Sequence, residues 1–166
     1  MTVPKAIEKA RAYFLTEENT YGCAETTLIV LQESYGLPDA TDSSLAMALN
    51  GGIAYSGGMC GAITGAAMAV GRLAAQRISN HKEAKRVARR LIAHLMDDFL
   101  AEFGACNCRN LLNRDISSPE GHEAFIKSGI WRDICMRQIE FSVRKLYHLH
   151  NQEIWRQTVQ QLDDAD

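Results

Sequence analysis

Gly51-Gly52-Ile53-Ala54-Tyr55-Ser56-Gly57-Gly58-Met59-Cys60-Gly61-Ala62-Ile63-Thr64-Gly65 is the stretch on which the reading of this chain turns. Glycines and a serine lead to one cysteine, and small and apolar residues then run on to Gly71. Glycine permits backbone conformations and close approaches that a Cβ forbids. The segment therefore reads as a flexible turn that delivers Cys60 to the start of a helix with almost no side-chain bulk. A sulfur at a helix N-terminus meets unpaired N–H groups and the positive end of the dipole, both of which favour thiolate.

Outward from that stretch, helical spacing dominates and no strand alternation stands out. Pro4 opens a helix through about Thr16, with Ile7, Ala10, Arg11 and Phe14 spaced along it. A second helix starts near Gly22 or Cys23, runs to Tyr35, and stops at Gly36 with Pro38 behind it. Thr41 or Asp42 caps a short third helix from Ser43 to Leu49. The cysteine helix is expected from about Cys60 to Ile78. Its small residues at three- and four-residue spacing, Gly61, Ala62, Gly65, Ala66 and Ala69, predict that neighbouring helices approach closely. A long fifth helix carries Ala84, Val87, Leu91, Leu95, Phe99 and Phe103 on one stripe and ends at Gly104. Ala105 to Cys108 reads as a loop, Arg109 to Leu112 as one helical turn, and Ser118-Pro119 as the start of a helix that stops at Gly129. A last core helix spans roughly Trp131 to His148. The polar amphipathic tail from Asn151 to Leu162, ending in acidic residues, reads as packing loosely or on a partner. The fold class predicted is all-α, a single-domain helical bundle of about six to eight helices. Residues 1–148 form the helical cysteine domain and 149–166 a helical tail extension.

Composition bounds the function. With 166 residues, 46% of them hydrophobic, the chain can bury one core. A formal net charge of −2 gives no electrostatic reason to expect nucleic acid or an anionic membrane as partner. The basic opening of the fifth helix (Lys82, Lys85, Arg86, Arg89, Arg90) reads as a solvated face. The N-terminus has no continuous apolar region of the signal-peptide kind. The most apolar run, Met59 to Val70, is closed by Arg72 and is too short to span a bilayer. A cytoplasmic protein without membrane insertion is expected. The small-residue helix and the tail would suit a homodimer.

Five cysteines, Cys23, Cys60, Cys106, Cys108 and Cys135, are spread through the chain. In a reducing compartment this points to metal or redox chemistry more than to a disulfide framework, although buried thiols also serve as small hydrophobes. Cys23, Cys60 and Cys108 each stand where a helix begins, and Cys135 about one turn into its helix. No C-x-x-C pair is present, since Cys106 and Cys108 are separated by one residue, so the common zinc modules and the thioredoxin motif are excluded. The glycine stretch lacks G-K-[ST], and no strand precedes it, which excludes a P-loop and argues against a dinucleotide fingerprint. Cysteine-hydrolase chemistry needs a histidine near a thiol, and sequence places none of His81, His94, His122, His148 or His150 there.

These residues resemble a known family. Cys60-Gly61-Ala62-Ile63-Thr64-Gly65 matches the signature of the C_GCAxxG_C_C family, small bacterial and archaeal proteins assigned a redox role largely on the strength of four characteristic cysteines. The first lies in a Cys-Ala-(Glu/Gln) context at a helix start, like Cys23-Ala24-Glu25. The second, like Cys60, follows a glycine-rich lead-in. The third lies in a Cys-Arg-x-Leu-Leu context after a Phe-Gly helix end, like Cys108 after Phe103-Gly104. The fourth matches Cys135 in a later helix. The resemblance covers roughly residues 5 to 147 and leaves out Cys106 and the tail.

It implies that Cys23, Cys60, Cys108 and Cys135 converge on one redox site with an unknown redox partner. Two chemistries fit. The four thiolates could hold an iron–sulfur cluster, which the ligand-cage placement at helix ends slightly favours, or they could cycle between thiol and disulfide with no cofactor. Cys60 is expected to be the most reactive or best-held sulfur, with Cys106 a resolving or spectator thiol. Gly58 and Gly61 are expected to admit the backbone to the site, with their N–H groups bonding to sulfur. Two other readings stand beside this one. One is a structural zinc site on the same sulfurs in a helical adaptor module; the other is a helical interaction protein with buried, non-functional cysteines.

Overall fold

The structure, a computed structural model, describes residues 1–164, the side chain of Asp163 excepted. The last residues of the acidic tail, Ala165 and Asp166, lie outside it. Among the described residues the chain is built from α1 (Val3–Phe14), α2 (Cys23–Tyr35), α3 (Gly61–Arg77), α4 (His81–Phe103), α5 (Cys108–Leu112), α6 (Pro119–Ser128), α7 (Trp131–Leu146) and α8 (Gln152–Asp164). Two 3-10 turns, Ser44–Leu49 and Tyr147–His150, complete it. The only β pairing among these residues is an isolated antiparallel bridge between Met59 and Asn107.

Helix α2 is the axis of the bundle. Leu28, Ile29, Val30 and Leu31 follow one another with almost no exposure, so the middle turn of the helix is apolar on every side and must be surrounded. Each such side chain contributes about 1.5–3 kcal/mol by leaving water. Helix α3 makes the most extensive contact with it, while α1 and α7 cover other faces and α4 packs behind α3. The close approach of α2 and α3 has a steric cause. A Cβ on Gly65 would lie 2.2 Å from the Ala24 carbonyl oxygen, and one on Gly61 would lie 2.3 Å from Cys23 Sγ. Small residues let two backbones meet, and that contact sets Cys23 against the start of the cysteine helix.

The caps follow the sequence closely. Gly36, Gly104 and Gly129 end α2, α4 and α6 in the left-handed region, and Ser118 accepts the Gly121 N–H ahead of α6. Three expectations change. The segment from Ser43 is a 3-10 turn beginning at Ser44, because Asp42 Oδ1 takes the Ser44 N–H and tightens the start. The last core helix stops at Leu146 and tightens into the second 3-10 turn, whose carbonyls at Leu149 and His150 are held by Arg77. The tail does not hang loose. Trp155 and Leu162 are buried, Trp155 lies under the Arg77 guanidinium, and Arg90 bonds the Leu162 carbonyl. No helix among the described residues is long and apolar enough to cross a membrane.

Candidate functional site

The glycine lead-in is a specific structure. Gly51, Gly52, Ile53, Ala54 and Tyr55 all have positive φ, from 49° to 76°, and together make a left-handed helical turn. For each non-glycine residue that conformation costs roughly 1–2 kcal/mol. Hydrogen bonds reaching back six residues offset the cost: Ala54 N–H to the Ala48 carbonyl at 2.8 Å, Gly57 N–H to Gly51 at 3.1 Å, and Gly58 N–H to Gly52 at 3.1 Å. The turn read from sequence as flexible is thus hydrogen-bonded throughout. It holds the Tyr55 ring against His122 of α6, with ring centroids 4.1 Å apart.

Past this turn the chain runs antiparallel to the loop before α5. Cys60 N–H donates to the Cys106 carbonyl at 2.8 Å, and Cys108 N–H donates to the Gly58 carbonyl at 2.8 Å. This pairing lays two helix starts side by side. Cys60 caps α3 and Cys108 opens α5. Cys23 opens α2, and Cys135 lies one turn into α7. All four line one cavity of about 50 Å³, walled by Phe14, Leu112, Ile116, Phe125 and Trp131. Among the described residues, no charged side chain and no histidine lines it.

The surroundings order the thiols. The hydrogen bond from Cys60, helped by the Gly61 N–H, draws Cys108 below the usual thiol range against the opposing effect of burial. The same bond, together with burial, pushes Cys60 well above it. Burial first, then the charge at Cys108, pushes Cys23 up to about 11. Burial likewise raises Cys135, with the charges of Cys23 and Cys108 adding to it. Sequence singles out Cys60 as the most reactive or best-held sulfur; within the pair, the Cys108 thiol is drawn down and the Cys60 thiol pushed up.

The other expected residues divide. The Gly61 N–H helps to hold the Cys108 thiol low, whereas Gly58 N–H is taken by Gly52, so Gly58 serves the site through its carbonyl instead. Cys106 does not line the cavity; its sulfur points to the Met96 carbonyl of α4 at 3.6 Å. His94 is exposed.

Sequence reasoning missed two buried amides. Asn50 precedes the left-handed turn. Its Oδ1 accepts the Ala24 N–H at 3.0 Å and faces Cys23 Sγ at 3.9 Å, while its Nδ2 donates to Glu25 Oε2 at 2.9 Å. Glu25, nearly buried, also accepts from Gly22 N–H at 3.0 Å and Ser43 Oγ at 3.1 Å. Gln138 of α7 places Oε1 3.4 Å from Cys60 Sγ. A polar residue within an apolar helical stripe is the signal that could have found Gln138; Asn50 had none beyond its place before the glycines.

A family model described as "Putative redox-active protein (C_GCAxxG_C_C)" matches residues 21–149, from just before α2 through most of the second 3-10 turn. That span is most of the chain and contains all four cavity cysteines, so the chain belongs to this family. Neither a curated protein nor a solved structure matches it.

Proposed function

We propose that in this member of the C_GCAxxG_C_C family Cys60 and Cys108 form a two-electron dithiol–disulfide centre, with Cys108 as attacking thiolate and Cys60 as resolving thiol. The observation that carries this reading is the antiparallel pairing that lays the starts of α3 and α5 side by side and brings both cysteines to one cavity, where the Cys108 thiol is drawn below its ordinary range and the Cys60 thiol pushed above it. A cavity of about 50 Å³ has room for about three or four water molecules. With no charged group in its described lining it suits a small uncharged oxidant of the peroxide class.

The chemistry balances in two steps. Cys108 thiolate attacks the nearer peroxide oxygen, the O–O bond breaks, and the leaving alkoxide or hydroxide takes a proton from solvent, leaving Cys108 as a sulfenic acid. Cys60 then loses its proton and attacks that sulfur. The S–O bond breaks and hydroxide leaves with the proton as water, giving the Cys60–Cys108 disulfide. A thiol reductant returns the pair to dithiol. Cys23 and Cys135 line the same cavity as neutral thiols.

An iron–sulfur cluster is the second reading, since four cysteines are its usual ligand set and four line this cavity. Cys23, Cys60, Cys108 and Cys135 would hold it, and it would supply one-electron transfer. The Asn50 amide speaks against it. Ala24 N–H and Glu25 fix Oδ1 toward Cys23, where an S–H is welcome and a ligated thiolate would meet an oxygen lone pair. A single zinc asks more of the packing. Four sulfurs about 2.3 Å from one ion lie roughly 3.8 Å from each other. Among the described residues no three His, Cys, Asp or Glu side chains are grouped to hold a metal ion.

Anaerobic purification, followed by an absorption spectrum, metal analysis and thiol titration on one sample, tests the proposal. The expected result is a colourless protein whose thiol count falls by one pair with hydrogen peroxide, mass spectrometry placing the bond between Cys60 and Cys108. Visible bands with iron and labile sulfide would replace it with the cluster reading. One zinc per chain would indicate a scaffold, and five unreactive thiols an interaction protein.

A further inference from the structure

The Cys60 S–H donates to Gln138 Oε1 at 3.4 Å, and Cys108, on the same cavity, is the other acceptor toward which that proton can turn. A proton turned toward Cys108 leaves the amide oxygen facing bare sulfur.

The two buried amides differ in freedom. Asn50 is held at both ends, its oxygen by Ala24 N–H and its nitrogen by Glu25 and the Met47 carbonyl, so turning it over would cost three hydrogen bonds. Gln138 is 3% exposed, and among the described residues its side chain makes no hydrogen bond except the one to Cys60. Among the described residues no second hydrogen bond fixes which end of that amide faces the cavity. An amide carbonyl accepts from a thiol, and an amide N–H₂ donates to a thiolate.

We propose that Gln138 is a positioning residue whose amide turns with the charge on Cys60, presenting Oε1 to the thiol and Nε2–H to the thiolate that closes the disulfide. The proposal rests on the dithiol reading. Its chemical need is plain. Cys60 must ionise before it can attack the Cys108 sulfenic sulfur, and a bare thiolate in an apolar cavity is costly unless it is hydrogen-bonded. The Ala62 N–H supplies one bond and the turned Gln138 amide a second. The titratable groups facing Cys60 are Cys23 on α2 and Cys108 on α5, with Cys135 on α7 and Tyr55 of the left-handed turn on the same cavity, and among the described residues no charged side chain lines it.

The test compares wild type with Gln138→Met, which keeps length without a hydrogen-bonding amide, and Gln138→Glu, which offers oxygen only. Each is mixed with hydrogen peroxide at a series of pH values and quenched by acid and alkylation. Sulfenic acid at Cys108 and the Cys60–Cys108 disulfide are then counted separately by mass spectrometry. In both variants disulfide closure is expected to slow by about tenfold or more, the scale of one hydrogen bond to a charged group, with its pH midpoint moved upward. In Gln138→Met the sulfenic step is expected to be unchanged or faster, because Cys108 no longer competes for the Cys60 proton. Closure at the wild-type rate and midpoint in both variants would overturn the role of Gln138 alone. So would equal slowing of both steps, which marks a structural effect. Absence of the Cys60–Cys108 disulfide in wild type would overturn the dithiol reading and this proposal with it.

Discussion

Cys60 and Cys108 reach one cavity because the chain segments before their helices are hydrogen-bonded to each other, Cys60 N–H to Cys106 and Cys108 N–H to Gly58. One short antiparallel pairing therefore places two helix starts together.

Removing Cys60 should raise the pKa of Cys108. In Cys60→Ala, Cys108 loses the interaction that lowers its pKa most and keeps the burial that opposes it. The alkylation rate of Cys108, followed against pH by mass spectrometry, should reach its midpoint at higher pH than in wild type. An unchanged midpoint would mean that the Gly61 N–H alone sets the acidity.

The buried thiols should also make the protein sensitive to alkali. Cys23 has its folded pKa raised to about 11, and Cys60 and Cys135 are raised as well. For an acid shifted upward the unfolded chain gives up its proton first. Stability is thus fully present below the unfolded thiol value, roughly 8.5, and falls as pH climbs from there through the folded value. Thermal melts should drop through that window, and Cys23→Ala should show a shallower drop. Parallel curves for the two proteins would exclude Cys23 as a cause.

Three glycines of α3 should respond in different directions. A Cβ at Gly65 would sit 2.2 Å from the Ala24 carbonyl oxygen, and one at Gly61 would press on Cys23 Sγ and the Ala24 nitrogen. Gly65→Ala and Gly61→Val should each destabilise by about 1–3 kcal/mol or more, as overpacking does. Gly61→Val should in addition alter Cys23 and Cys108 alkylation while helical circular dichroism stays largely intact. Gly71 has open space around it in the same helix, so Gly71→Ala should stabilise by about 0.5–1 kcal/mol. Urea denaturation of the three variants checks the set, and a destabilised Gly71→Ala would contradict the packing.

Much of the helical layout was legible because its signals are local. Gly36, Gly104 and Gly129 stop helices by adopting a left-handed conformation that few other residues tolerate, and Ser118-Pro119 starts one by capping. The stripe Ala84, Val87, Leu91, Leu95, Phe99 lies inward as its spacing demands. The packing of the tail was not legible, because it rests on only a few large anchors. Trp155 is satisfied by Arg77 from a distant helix, and no window around residue 155 contains that partner.

The four cavity cysteines, their order and their places at or near helix starts were determined by sequence alone, since caps and glycines act over a few residues. Tertiary structure decided which sulfur is acidic. That depends on Cys60 and Cys108 meeting at one cavity across 48 residues of chain, on Asn50 and Gln138 turning carbonyls toward Cys23 and Cys60, and on how deeply each thiol is buried. Helix starts are alike in sequence; the neighbours that share or withhold a proton come together only when the bundle closes.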